Sequence, residues 1–202
     1  MPKRFILILG GVKSGKSDFA QKLALDEGGR VLFLATAQAR DDDMRQRIAA
    51  HQHRRPKDWR TAEEPLDLSQ TLDTQSRNAD IVLVDCITVW LSNVMEAASP
   101  KGLDEPDIAA TERVLATQIG SLHDWYRSGP ASLILVSNEV GMGLVPPYPS
   151  GRAYRDLLGT TNQRLATLAT EVYLLVAGIP IELKQLAARP WRQDASYDGR
   201  QA

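Results

Sequence analysis

Cysteine is almost missing from this chain: 202 residues contain one, Cys86. A lone thiol excludes an internal disulfide, and inside the apolar run IVLVDC it reads as a small buried hydrophobe in a reducing compartment. An excess of either charge is missing too. Lys and Arg number 24 against 25 Asp and Glu, a formal net charge of −1. No global field therefore draws the protein to nucleic acid or an anionic membrane, and any anion site has to be local. No apolar run approaches the ~20 residues that cross a bilayer. The start, MPKRFILILGG, is basic and briefly apolar but lacks the long apolar stretch of a signal peptide. These absences predict a cytoplasmic protein with no nucleic-acid partner and no membrane span.

What is present is ordinary for a globular protein: 43% hydrophobic and 24% charged residues. The length suits one core rather than two. Residues 1–184 are expected to form a single catalytic domain, and 185–202 a polar, aperiodic tail. Apolar runs alternate with helical patterns. Strands are expected at 5–9, 30–35, 81–86, 133–137 and 171–176, the last pairing with 179–183 as a hairpin. Helices are expected at 18–27, 41–55, 66–73, through Trp90 and Met95, at 107–128 and at 152–170. In the helix over 107–128 the candidate core residues are Ile108, Val114, Leu115, Ile119, Leu122 and Trp125. The strand runs are continuous rather than alternating, as in a parallel sheet covered on both faces. Strand–helix alternation then implies a three-layer α/β fold, with ligands beyond the C-terminal ends of the strands.

The run Gly10, Gly11, Val12, Lys13, Ser14, Gly15, Lys16, Ser17 fits G-x-x-x-x-G-K-[ST] between a strand and a helix. Glycines let the backbone curl so that N–H groups face phosphate oxygens, and the following helix adds its positive end. Lys16 is expected to reach the outer phosphates and Ser17 to ligate Mg²⁺. A second metal-holding oxygen is expected at the end of another strand. Asp85 is the candidate; it could instead cap the next helix, as Thr88 could. The phosphate loop makes the expected fold a three-layer P-loop NTPase (RecA-like) with a mostly parallel sheet.

Residues 41–55, DDDMRQRIAAHQHRR, carry acids at the start and arginines at the end, as the helix dipole favours. Met44, Ile48 and His51 share one face, with Arg47 and Arg55 flanking His51. His53 points to roughly the opposite side. Spacing alone would allow His51 to be a core histidine. The guanidinium groups disfavour its protonation, leaving a neutral nucleophile, and they would hold a phosphate beside it.

With these residues in view, the sequence resembles the bifunctional adenosylcobinamide kinase / adenosylcobinamide-phosphate guanylyltransferase family of cobalamin biosynthesis. The resemblance runs from the first strand to about Lys184. GGVKSGKS at 10–17, ATAQARDDDMRQRIAAHQHRRPKDWRTAEEP at 35–65, VLVDCITVWLSNVM at 82–95 and VSNEVGMGLVPPYPSGRAYRDLLGTTNQRLA at 136–166 carry it. It implies phosphorylation of adenosylcobinamide by ATP or GTP, then transfer of GMP from GTP to the new phosphate through a guanylylated histidine. On the pattern R-I-x-x-H-x-x-x-R, that histidine is His51. The loop has Lys13 where similar proteins often have arginine, which keeps the charge. The resemblance also implies that Ala35, Thr36, Ala37, Gln52, His53, Arg54, Arg55, Glu63 and Asp85 help hold the guanine nucleotide, and that the protein is a homo-oligomer.

Asp85 and Glu139 are candidate bases for the kinase step, Glu139 equally a cap for the turn Gly141-Met142-Gly143. Met142, Leu144, Val145, Pro146, Pro147 and Tyr148 offer a surface for the corrinoid or for a subunit. The alternative function is a P-loop kinase of another small molecule, without guanylyl transfer. A nucleotide switch would call for guanine-reading N-K-x-D, which the sequence lacks.

Overall fold

The computed structural model describes residues 2–38, 42, 45 and 55–187. The helix expected over 41–55 falls almost wholly outside them. So do His51, Gln52, His53, Arg54 and the tail beyond 187.

The chain builds β1 (Phe5–Gly10), α1 (Lys16–Glu27), β2 (Val31–Ala35), β3 (Arg60–Glu63), α2 (Leu68–Gln75), β4 (Ile81–Asp85) and α3 (Ile87–Ala97). It continues with α4 (Ile108–Ser128), β5 (Ser132–Val136), α5 (Pro149–Leu168), β6 (Glu171–Val176), β7 (Ile179–Glu182) and the short α6 (Leu183–Leu186). The strands form one seven-stranded sheet in the order β3-β2-β4-β5-β1-β6-β7. Every neighbouring pair is parallel except β6 with β7, which is antiparallel. This is the mostly parallel, three-layer α/β architecture that the alternating pattern predicts.

The continuous apolar runs have the expected cause. Successive strand residues point to opposite faces, and both faces are covered. On one face Phe5, Leu7, Leu32, Leu34, Val82, Val84, Leu133 and Leu135 pack against Leu72, Trp90, Leu91, Leu115 and Leu158 from α2 to α5. On the other, Ile6, Ile8, Phe33, Ile81, Leu83, Ile134 and Val136 pack against Ala20 and Ala24 of α1 and against Trp59. Each fully buried aliphatic or aromatic side chain contributes on the order of 2 kcal/mol.

The structure adds one strand the pattern does not show and corrects two helices. β3, sequence RTAE, has no strand signal: only Ala62 is buried, because β3 is an edge strand. In α4 the buried stripe is Thr111, Leu115, Ile119 and Leu122. Ile108 and Val114 are 44% and 41% exposed, since they lie off that stripe. Helix α5 starts earlier than its apolar pattern, with Pro149 in the first turn; the fixed φ of proline suits that position. The β6–β7 hairpin turns on Ala177 (φ 51°) and Gly178 (φ 83°), the positive pair that a two-residue type I′ turn demands.

Candidate active site

The phosphate loop links β1 to α1 at the C-terminal edge of the sheet. Gly10 has φ 154°, and a Cβ there would lie 2.6 Å from the Leu175 carbonyl oxygen and from Ser14 Oγ. No other residue fits. Lys13 (φ 57°) and Gly15 (φ 93°) are left-handed, and Gly15 occupies the cap position of α1 with no side-chain cap. The first N–H groups of α1 are thus left to a ligand. Gly178 N donates to Ser14 O at 2.9 Å, and Glu139 N to Gly10 O at 3.0 Å. The loop is therefore braced by the hairpin on one side and by the end of β5 on the other.

Lys16 is only 7% exposed. Its ammonium donates to Gly11 O at 2.6 Å and to Ser14 Oγ at 3.4 Å. Burial lowers its pKa, opposed by the nearby Cys86 and Asp85. Ser17 is half-buried, one residue on.

The structure aligns three expected site residues in a row. Ala35 pairs with Glu63 on one side and with Asp85 on the other, at the ends of β3, β2 and β4. Strand parity puts the three on the face of Phe33 and Leu83, the face α1 covers. Arg55 comes down on that face: its guanidinium lies 3.4 Å above the centroid of the Phe33 ring. Burial lowers its pKa, opposed first by Asp85 and then by Glu63. Its Nε and Nη1 are enclosed and make no hydrogen bond. Lys16, Asp85, Glu63 and Arg55 thus form one electrostatic neighbourhood, two cations and two acids, drawn from distant parts of the chain.

The cap position of α3 is Cys86, not Asp85; Asp85 ends β4. Thr88 is used differently, its hydroxyl oxygen accepting from Asn138 N at 2.7 Å. Burial pushes the Cys86 thiol up to about 11. Glu139 acts as a turn cap, Oε1 accepting from Gly141 N at 2.6 Å.

Thr36 is fully buried, and its hydroxyl is committed to the backbone. Oγ1 donates to Cys86 O at 2.8 Å and accepts from Cys86 N at 2.9 Å. Ala37 is half-buried just beyond. A residue the sequence did not single out, Asn93 of α3, donates from Nδ2 to Thr36 O at 2.9 Å and to Pro65 O at 3.2 Å. No local pattern could have shown it, because both acceptors are backbone carbonyls far along the chain.

For Mg²⁺ the donor set fits. Ser17 and Asp85 offer a hydroxyl and a carboxylate, hard oxygen ligands that leave room for water and phosphate oxygens, as Mg²⁺ prefers. Among the described residues no cluster of three or more acids, histidines or cysteines forms a self-contained metal cage.

A phosphate loop at the end of β1, with an acid at the end of β4 two strands away, defines a P-loop nucleotide-binding protein of α/β class. Comparison with known proteins narrows this. The family model described as cobinamide kinase / cobinamide phosphate guanyltransferase matches residues 6–183. The bifunctional adenosylcobalamin biosynthesis protein CobP of Pseudomonas aeruginosa is 43% identical over 178 residues, 88% of this chain and 96% of that protein. The proteins named bifunctional adenosylcobalamin biosynthesis protein CobU from Escherichia coli K12 and Salmonella typhimurium are 39% and 41% identical over 180 residues, 89% of this chain and 99% of theirs. The chain belongs to the cobinamide kinase / cobinamide phosphate guanyltransferase family. Among solved structures, the RadB recombinase superposes with a TM-score of 0.47 at 15% identity, covering 86% of this chain and 74% of that one.

Proposed function

We propose that this chain carries out both reactions of its family, phosphorylating adenosylcobinamide with ATP or GTP and then transferring GMP from GTP to the product. One observation carries the reading. Arg55, four residues after His51, lies over the Phe33 ring and feels the charges of Asp85 and Glu63, and Asp85 also acts on Lys16 of the phosphate loop. Four residues of chain span at most ~14 Å, a reach that supports His51 as the nucleophile.

In the kinase step the corrinoid's side-chain hydroxyl oxygen attacks the γ-phosphorus. The bond to the β-phosphate oxygen breaks, the nucleoside diphosphate leaves, and the hydroxyl proton passes to a base, for which Glu139, and Asp85 where it does not hold metal, are the candidates. Lys16 and the loop N–H groups stabilise the charge that moves onto the leaving oxygens. In the transfer step a neutral His51 nitrogen attacks the α-phosphorus and pyrophosphate leaves. The corrinoid phosphate then attacks the phosphoramidate, the P–N bond breaks, and His51 is restored with the corrinoid diphosphate-linked to guanosine. Two displacements replace one harder one. Mg²⁺ held by Ser17 and Asp85 would neutralise phosphate charge in both steps.

Residues 35–37, 52–55, Glu63 and Asp85 are assigned to the guanine nucleotide. The loop beyond Glu139, where Met142 is 83% and Leu144 97% exposed, is assigned to the corrinoid. Among the described residues no helix is long and apolar enough to cross a membrane; the family resemblance supports a homo-oligomer.

Incubation with Mg²⁺ and GTP labelled at the α-phosphate tests the reading. The protein should retain label after denaturation, label that acid removes and alkali does not. His51→Ala should abolish it and His53→Ala should not. Label lost only in His53→Ala moves the nucleophile by two residues. An unlabelled wild type leaves a P-loop kinase of a small molecule.

A further inference from the structure

We infer that Asn93 is a positioning residue for the guanine nucleotide, fixing with one side-chain amide the two chain segments that leave β2 and β3. The inference rests on the assignment of residues 35–37 and Glu63 to that nucleotide.

The amide nitrogen of asparagine carries two hydrogens, and here each has a carbonyl. One goes to Thr36 O, just past β2, and the other to Pro65 O, two residues past Glu63. Asn93 is itself only 7% exposed on α3, so its position is set by the helix rather than by solvent. Further bonds stiffen both segments. Thr36 N donates to Asp85 O at 3.3 Å, and Glu64 N donates to Ala35 O at 2.9 Å. Trp90 Nε1, also on α3, donates to Leu66 O at 2.8 Å. Helix α3 thereby holds the exits of β2 and β3 at fixed separation, at the strand ends where ligands of such folds bind. An open cavity of about 260 Å³, bordered by Gln38, Pro65, Leu66 and Asn93, lies beside the clamp on the α3 side.

The chemistry of the amide is specific. Alanine removes both donors and leaves two carbonyls to compete for water. Aspartate keeps the shape but turns a carboxylate toward two carbonyl oxygens. When protonated, however, it regains one donor, and burial among acceptors raises the pH at which that happens.

Equilibrium binding of GDP and of ADP, both with Mg²⁺, to wild type, Asn93→Ala and Asn93→Asp tests this, with thermal melting as the check on folding. In Asn93→Ala the Kd for GDP should rise about tenfold, the effect of losing roughly one to two neutral hydrogen bonds. The Kd for ADP, held chiefly by the phosphate loop, should stay within about threefold. In Asn93→Asp the GDP Kd relative to wild type should be larger at pH 8 than at pH 6. A folded Asn93→Ala with GDP affinity unchanged overturns the inference, as does equal weakening of GDP and ADP. Should Asn93→Ala fail to melt cooperatively, Asn93→Asp decides: a ratio to wild type that is the same at both pH values overturns it. A wild type that binds GDP but takes no covalent label overturns guanylyl transfer and leaves this inference standing.

Discussion

The Lys16 ammonium donates to the carbonyl oxygen of Gly11, 2.6 Å away across the mouth of its own loop. The residue meant for phosphate thus holds the loop in shape beforehand, and a phosphate has only to exchange with a carbonyl. The enclosed ammonium is costly, as its lowered pKa shows. Lys16→Met should therefore fold with a melting temperature equal to or above that of wild type. Its turnover in both reactions should fall by about a hundredfold or more. Calorimetry and initial rates on the same preparation check both halves.

Asp85 should be needed for metal rather than for folding. In Asp85→Asn the carboxylate is lost with little change of shape. Both activities should drop by roughly a hundredfold, and the Mg²⁺ concentration for half-maximal rate should rise. A metal titration of the residual rate distinguishes this from loss of a base, which would leave the Mg²⁺ midpoint where it was.

Asp67 caps α2, accepting from Gln70 N at 3.0 Å, from Ser69 Oγ at 2.8 Å and from Gln118 Nε2 at 3.0 Å. The Gln70 and Gln118 bonds hold its carboxyl below the usual range. A depressed folded pKa gives stability that is present above the unfolded pKa and lost as pH falls through the folded one. Asp67→Ala should thus cost about 1–2 kcal/mol at neutral pH. The gap to wild type should narrow below about pH 4. Denaturant melts at both pH values measure it.

The turn residue Ala177 sits at φ 51°, where a Cβ is strained and asparagine is better tolerated. Ala177→Asn should raise stability by about 0.5–1 kcal/mol, or roughly 2 °C, with the nucleotide sites unaffected. A lower melting temperature would refute the turn assignment.

What the sequence revealed and what it hid follow from the range of the interactions. The phosphate loop is local: its glycines and Lys16 act within eight consecutive residues, so spacing alone exposes it. Strands β1, β4 and β5 are buried on both faces and announce themselves as apolar runs. β3 does not, because an edge strand needs only Ala62 inside. In α4 the periodicity marks Leu115, Ile119 and Leu122 correctly, but Ile108 and Val114 are apolar yet exposed, because periodicity does not say which of two overlapping faces meets the core. For Glu139 the sequence allows either a base or a cap, and the bond to Gly141 N comes from the folded turn. The clamp by Asn93 was invisible, since the amide reaches backbone of residues that no pattern links to it. Arg55 is marked by its helical spacing from His51 and by the resemblance, but its seat on the Phe33 ring comes from the fold.

The brace of Ser14 by Gly178 has a consequence for biosynthesis. The phosphate loop is encoded near one end of the chain, yet β5, on one flank of its strand, and β6 with its hairpin, on the other, come late. During translation the loop emerges long before the partners that give it shape. Nucleotide cannot assist the early stages of folding, because there is nothing yet to grip it. It can act only once β5 and β6 are present to flank β1.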